Sequence, residues 1–322
     1  MLSIIGATHP GRRDHNEDCY IVDAERGIAL VADGMGGYAA GEVASTLVKE
    51  TVYQAVSSGG GLREAIVAAH RVVKEAAAAD TAKKGMGSTA LAIKLVDMDY
   101  EIAWVGDSRA YLWDPEEKHL KQITRDHSYV ESLLKTGAIS AAEALNHPNR
   151  NLITQAVGVA SEGLDVDLIQ GRLTPGQQLL LCSDGLVDEV RDHDIARLLS
   201  VAASPGEAVN TLIDAAVVAG GHDNITVVIA AADASTAISL DAVLPEVVRT
   251  TALDDESGEL TRPRAESVAD TAKMNAAPLD DNADKRATTF KDYCLGATDF
   301  IGLKLSVVIA AVIAAMMFFL LK

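Results

Sequence analysis

Apolar segments of strand length and segments of helical period fall in separate runs along this chain, without strict β–α–β alternation, and that order predicts an α+β layered sandwich. Two observations size it. Of 322 residues, 48% are hydrophobic, ample for a core, and the periodic patterning runs to about residue 232 and then stops.

The elements read in order. CYIVDAERGIALVADG, from Cys19 to Gly34, is a candidate hairpin. Helical stretches cover Gly41–Ser57 and Leu62–Ala79. STALAIKLVDMDYEIAWVGDSRAYLWD, from Ser88 to Asp114, is strand-like with its alternation broken at DMD. QQLLLCSDG and NITVVIAA are short apolar runs of strand length. Between them, Pro205–Ala219 reads as a helix with Ser204 as N-cap, proline at the first helical position, Glu207 completing a capping box, and a Gly220-Gly221 stop.

Lys and Arg number 28 against 46 Asp and Glu, a net charge of −18, which repels phosphate backbones and argues against a nucleic-acid partner. Cys19, Cys182 and Cys294 are too few and too scattered for a disulfide framework or a structural zinc knuckle, and suit a reducing compartment. The first residues carry no uninterrupted apolar stretch behind a basic start, so no cleaved signal peptide is expected.

Beyond the globular part, 1–232, residues 233–302 read as an acidic flexible linker with a typical span of about 45 Å. Leu305 to Leu321 is uncharged, flanked by Lys304 and Lys322, and as a helix is about 26 Å long, near the lower limit for crossing a bilayer. A transmembrane anchor is expected over 303–322; a buried core helix is disfavoured because the segment has no polar face. Lys285, Arg286, Lys291 and Lys304 precede it, so the positive-inside rule expects a single-pass inner-membrane protein with its folded part in the cytoplasm.

Four apolar segments share one design, an Asp at the strand end followed by Gly, Ser or Asn: VADGMGG (Asp33), VGDSRA (Asp107), LCSDGL (Asp184) and GGHDNIT (Asp223, leading into its strand). RRDHNED adds Glu17 and Asp18 before another apolar run. One such Asp is ordinarily a turn former. Several gathered at one sheet edge repel each other unless cations neutralise them, and an all-oxygen set selects hard ions such as Mg²⁺ or Mn²⁺. Glycine after Asp33 and Asp184 allows close backbone approach, and a peptide carbonyl can itself be a ligand. Two ions about 3.5–4 Å apart would activate a water and clamp a phosphoryl oxygen. Arg13 offers the bidentate fork that phosphate oxygens favour. Walker loop, kinase glycine loop, GxSxG elbow and cysteine-phosphatase motif are all missing, which points to hydrolysis by metal-bound water.

In order, RRDHNED, VADGMGG, GSTA, VGDSRAY, NLITQAVG, LCSDGL and GGHDNITVV resemble the bacterial branch of the metal-dependent serine/threonine protein phosphatases of type 2C, from about Ser3 to Ala232. The resemblance implies an αββα sandwich of two antiparallel sheets flanked by helices, with a dinuclear Mn²⁺ or Mg²⁺ site at one edge. Asp33 matches the bridging ligand, with the Gly34 carbonyl beside it, and Asp184 and Asp223 match the other direct ligands. Asp107 matches the aspartate that, with Asp184, holds a weaker third ion. Glu17 and Asp18 match the pair that orients metal-bound waters, and Arg13 the phosphate-binding arginine. Arg13→Ala is then expected to weaken phosphosubstrate binding and leave metal affinity unchanged. Phosphorylated proteins, among them a serine/threonine kinase and its substrates, are the implied partners.

Animal members carry a histidine after the second motif's DG, proposed as the general acid; Met35 stands there, as in many bacterial relatives, and cannot donate a proton. His9, His15, His127 and His222 are near in sequence only and read as structural or surface residues. Asp126–Leu145 falls where bacterial relatives carry a mobile flap, and its composition equally suits a helix pair. A scaffold or phospho-reader built on the phosphatase fold is the alternative reading. It predicts loss of a metal carboxylate, whereas Asp33, Asp184 and Asp223 are all in place. The spacings Thr251–Asp254 and Thr289–Asp292, favoured by some phosphothreonine readers, are expected by chance in such a tract.

Overall fold

The computed structural model describes residues 2–36, 40–159 and 164–232. In chain order come β1 (Leu2–His9), β2 (Asp18–Asp23), β3 (Ile28–Met35), α1 (Ala40–Ser57), α2 (Leu62–Ala79), β4 (Gly87–Ser88), β5 (Ala90–Val96), β6 (Asp99–Val105), β7 (Arg109–Asp114) and β8 (His119–Gln122). Then follow α3 (Tyr129–Lys135), α4 (Ala141–Ala144), β9 (Asp167–Arg172), β10 (Gln178–Cys182), α5 (Asp184–Val187), α6 (Asp192–Val201), α7 (Pro205–Ala219) and β11 (Ile225–Ala232).

The strands form two antiparallel sheets. One has the order β1-β11-β10-β7-β8; the other runs β2-β3-β5-β6-β9, with β4 paired to β3. Period-2 geometry explains why the central strands read as unbroken apolar runs. In β3, Ile28, Leu30 and Ala32 pack toward α1 and α2, while Ala29 and Val31 join Leu91, Ile93 and Ile102 in the core between the sheets. In β11, Ile225, Val227 and Ile229 meet Leu186, Ile195, Leu212 and Ile213 of the other helical layer; Val228 and Ala230 face inward beside Leu179 and Leu181. Four layers result, α-β-β-α, and each fully buried Leu, Ile or Val stabilises them by about 1.5–3 kcal/mol.

The hairpin, the three helices and the broken alternation stand where the sequence places them. The break at DMD is the β5–β6 turn, with Asp97 in the left-handed region at φ 56°. One detail differs. Ser204 Oγ accepts from Glu207 N (3.2 Å) as expected, but Glu207 Oε2 reaches past the cap to Ala203 N (2.8 Å), so the reciprocal box is not closed. A closed capping box occurs instead at Ser140 and Glu143, opening α4. The stretch expected as flap or helix pair holds α3 and α4. Among the described residues no helix is long and apolar enough to cross a membrane. The linker 233–302, with its two threonine spacings, and the anchor expected over 303–322 lie outside the described residues.

Candidate active site

Sheet register delivers the aspartates to one end of the sandwich. Asp18, opening β2, is the direct antiparallel partner of Asp33 near the end of β3. In the other sheet Cys182 at the end of β10 pairs with Val227 and with Arg109, so Asp184, Asp223 and Asp107 leave that sheet on the same side. Asp33 is fixed within its own sheet, its N donating to Thr89 Oγ1 (2.9 Å) and its O accepting from Thr89 N (2.8 Å), and the Thr89 hydroxyl shares a bond of 2.8 Å with that of Ser108, just before β7 of the other sheet.

Burial and crowding set the protonation of the cluster. Asp33 is pushed well above the usual carboxylate range, first by burial and then by the charges of Asp18, Asp184, Asp107 and Asp223. Asp184 is pushed up likewise by burial, then by Asp107 and Asp223. Burial raises Asp107 to about 7, with Asp126 adding and Arg109 opposing. Asp18 reaches about 6; burial raises it, while hydroxyl bonds from Thr226 and Ser183, each 2.7 Å to Oδ2, hold it back.

A cation site fits these residues on observations of the structure. Asp18 Oδ1 and Asp184 Oδ1 are buried without a hydrogen-bond partner, an arrangement costly for a carboxylate unless a cation faces it. Backbone is also cleared. A Cβ on Gly34 would sit 2.1 Å from Gly41 O, and one on Gly41 would sit 2.7 Å from the Glu17 carboxyl carbon, so glycine at both leaves room for Glu17 beside Asp33 and Gly34. Among the described residues no three His, Cys, Asp or Glu side chains already enclose an ion position.

Asn224 organises the approach to the site. Its Oδ1 accepts from Glu17 N (2.8 Å), and its Nδ2 donates to Pro10 O (3.0 Å) and His15 O (2.9 Å). Arg13 Nη2 donates to Asp223 Oδ2 at 2.8 Å and Nε to His222 O at 3.0 Å, so the expected phosphate-binding arginine stands at the site's rim. The aspartates and Arg13 are gathered, and Glu17 lies beside the Gly34–Gly41 contact.

The histidines have other partners. His9 Nδ1 accepts from Gly11 N, His222 Nδ1 bonds Glu189 Oε1 at 2.6 Å, and His127 lies between Gly106 N and Asp167 while stacking on Trp104. Met35 pairs with Gly87 in the β3–β4 bridge.

Sequence reasoning missed Asn224, Ser183 and Thr226, although Ser183 and Asn224 adjoin chosen aspartates and Thr226 lies three residues after Asp223. It also missed Arg109, whose guanidinium forks onto Asp126 (Nη2–Oδ2 2.7 Å) and pins the root of the α3–α4 segment beside Asp107.

The protein phosphatase 2C family matches residues 5–217. The serine/threonine phosphatase stp of Listeria monocytogenes is 36% identical over 240 residues, 70% of this chain and 94% of the relative. The serine/threonine protein phosphatase PstP of Mycobacterium tuberculosis is 38% identical over 224 residues, 68% of this chain and 42% of that longer protein. The crystal structure of the M. tuberculosis phosphatase superposes with a TM-score of 0.67 at 34% identity, covering 72% of this chain and 99% of that one. A PstP catalytic domain in complex with two manganese ions gives 0.64 at 33% identity, covering 71% and 97%. The chain belongs to the protein phosphatase 2C family. It is a serine/threonine protein phosphatase.

Proposed function

We propose that this chain removes phosphate from phosphoserine and phosphothreonine of cytoplasmic proteins at a site for two divalent ions, Mn²⁺ or Mg²⁺. Asp33 and the Gly34 carbonyl, Asp184 and Asp223 are the residues that would hold the pair, and Asp107 with Asp184 a weaker third ion. The carrying observation is the meeting of Asp18, Asp33, Asp107, Asp184 and Asp223 at one edge with two buried oxygens unpartnered. The relative with two manganese ions supports the choice of metal.

Bound ions supply Lewis acidity toward phosphoryl oxygens and a water of lowered pKa. The chain's own residues do the rest. Asp18, fixed through Oδ2 by Ser183 and Thr226 and with Oδ1 unpartnered, would orient a water held by the ions. Glu17, held through its backbone by Asn224 and Gly34, would help orient the same water. Arg13 presents a guanidinium fork at the rim to bind and orient the phosphoryl group. Met35 has no proton to give, so the leaving alkoxide would take its proton from water held in the site or from another residue.

The uncharged run Leu305–Leu321 supports tethering to the inner membrane, single-pass, with the phosphatase domain cytoplasmic and a membrane-associated kinase and its substrates within linker reach. The test is phosphate release from a phosphothreonine peptide by the full chain in detergent. Release with Mn²⁺ and none with EDTA is expected; equal release in both would overturn the metal-dependent reading.

A further inference from the structure

Asp223 differs from the other candidate ligands in having both oxygens engaged. Oδ1 accepts from Asn224 N at 2.8 Å and Oδ2 from Arg13 Nη2 at 2.8 Å, whereas Asp184 keeps an unpartnered buried oxygen. Among the described ion pairs, Arg13–Asp223 is also the only one that reaches the cluster. The loop that Arg13 grips is tied by several hydrogen bonds. Arg13 Nε bonds His222 O, His222 N and Nδ1 bond Glu189 Oε1 (3.0 and 2.6 Å), and Arg12 N bonds Gly221 O (2.7 Å). The Arg13 side chain is 56% exposed, so it faces solvent rather than packed neighbours along much of its length.

We infer that Arg13 competes with divalent ions for Asp223, so that ion binding frees the guanidinium for the phosphoryl group. The inference rests on the two-ion reading above and adds an order to it, ions before substrate. A positive charge on a ligand carboxylate occupies the direction an ion needs and repels the ion as it arrives. When the ion takes Asp223, Arg13 loses its counter-charge next to a site that binds a dianion. One arginine then serves the carboxylate in the metal-free chain and the substrate in the loaded one. Arg13 is in this respect a positioning residue, and the expectation that metal affinity is indifferent to it is revised.

Calorimetric Mn²⁺ titration of the full chain tests this without any turnover. Arg13→Ala and Arg13→Gln should bind Mn²⁺ more tightly, on the order of three- to ten-fold, and Arg13→Lys, which keeps the charge but not the fork, should fall between them and the native chain. A merely structural arginine has the opposite sign, because disordering the Asp223 loop weakens binding. Inorganic phosphate should bind the native chain only after Mn²⁺ is added. Mn²⁺ affinity unchanged or weakened in folded Arg13→Ala and Arg13→Gln overturns the inference. A native chain that takes up no Mn²⁺ overturns the two-ion reading itself.

Discussion

Raising the pH of the metal-free protein should destabilise it, against the usual trend for carboxylates. Asp18 and Asp107 are raised from 3.8 to about 6 and about 7. Between those values the folded chain holds protons that the unfolded chain has released, so stability is fully present below pH 3.8 and is lost as pH climbs through 6 and 7. At 1.36 kcal/mol per unit, the two groups together cost about 4 kcal/mol between pH 5 and pH 8. His70 works the other way. Buried, and accepting from Gly158 N through Nδ1 (2.9 Å), it is held below its ordinary pKa of 6.5, so it subtracts stability only below that pH. For a domain of this size 1 kcal/mol shifts the melting temperature by about 2–4 °C, so the two aspartates correspond to a fall of roughly 8–16 °C from pH 5 to pH 8, which His70 reduces. Scanning calorimetry of the full chain in EDTA measures it. Mn²⁺ at pH 8 should restore the loss, since ions bind the deprotonated carboxylates. A metal-free melting temperature that is flat or rises over this range would refute the account of a repulsive buried cluster.

Further expectations concern single side chains. Thr226→Val deletes one of two hydroxyl donors to Asp18 Oδ2 at almost constant volume; it should cost about 1.5–3 kcal/mol at pH 7 and less at pH 4, in urea titrations at both. Gly41→Ala places a methyl against the Glu17 carboxyl and the Gly34 backbone, and should destabilise by about 1–3 kcal/mol while weakening Mn²⁺ affinity, read from one calorimetric series. Deleting Lys304–Lys322 should move the protein from the membrane to the soluble fraction with activity retained; a truncated chain still in membranes would discount the anchor.

Much of this architecture is legible because central strands buried on both faces carry unbroken apolar runs, as IALVA in β3 and ITVVIAA in β11 do. β1 escapes notice because its sequence, LSIIGATH, is half polar and interrupted by Gly6, and it becomes a strand only by pairing along its full length with β11. β8 and β9 are edge strands whose short mixed sequences carry little signal. The aspartates are visible since Asp33, Asp107 and Asp184 end apolar runs at a glycine or serine, while Asp18 and Asp223 stand just ahead of others. Their supports are not, because Ser183, Thr226 and Asn224 gain meaning only from long-range contacts: Ser183 bonds Asp18, 165 residues away, and Asn224 bonds Glu17, 207 away. The Arg13–Asp223 pair spans 210 residues and has no sequence signature either.

The central claim is that these aspartates form one ion-binding centre with Asp33 at its middle. Mn²⁺ titration of the native chain beside Asp33→Asn tests it most directly. The replacement keeps the side chain's shape, removes the ionisable carboxyl on which burial and the charges of Asp18, Asp184, Asp107 and Asp223 act, and should raise the metal-free melting temperature at pH 8, where ionising that carboxyl is unfavourable. Two ions bound per native chain, with at least one lost in Asp33→Asn although that variant is folded and thermally more stable, is the result expected. Undiminished Mn²⁺ binding by Asp33→Asn would contradict the account.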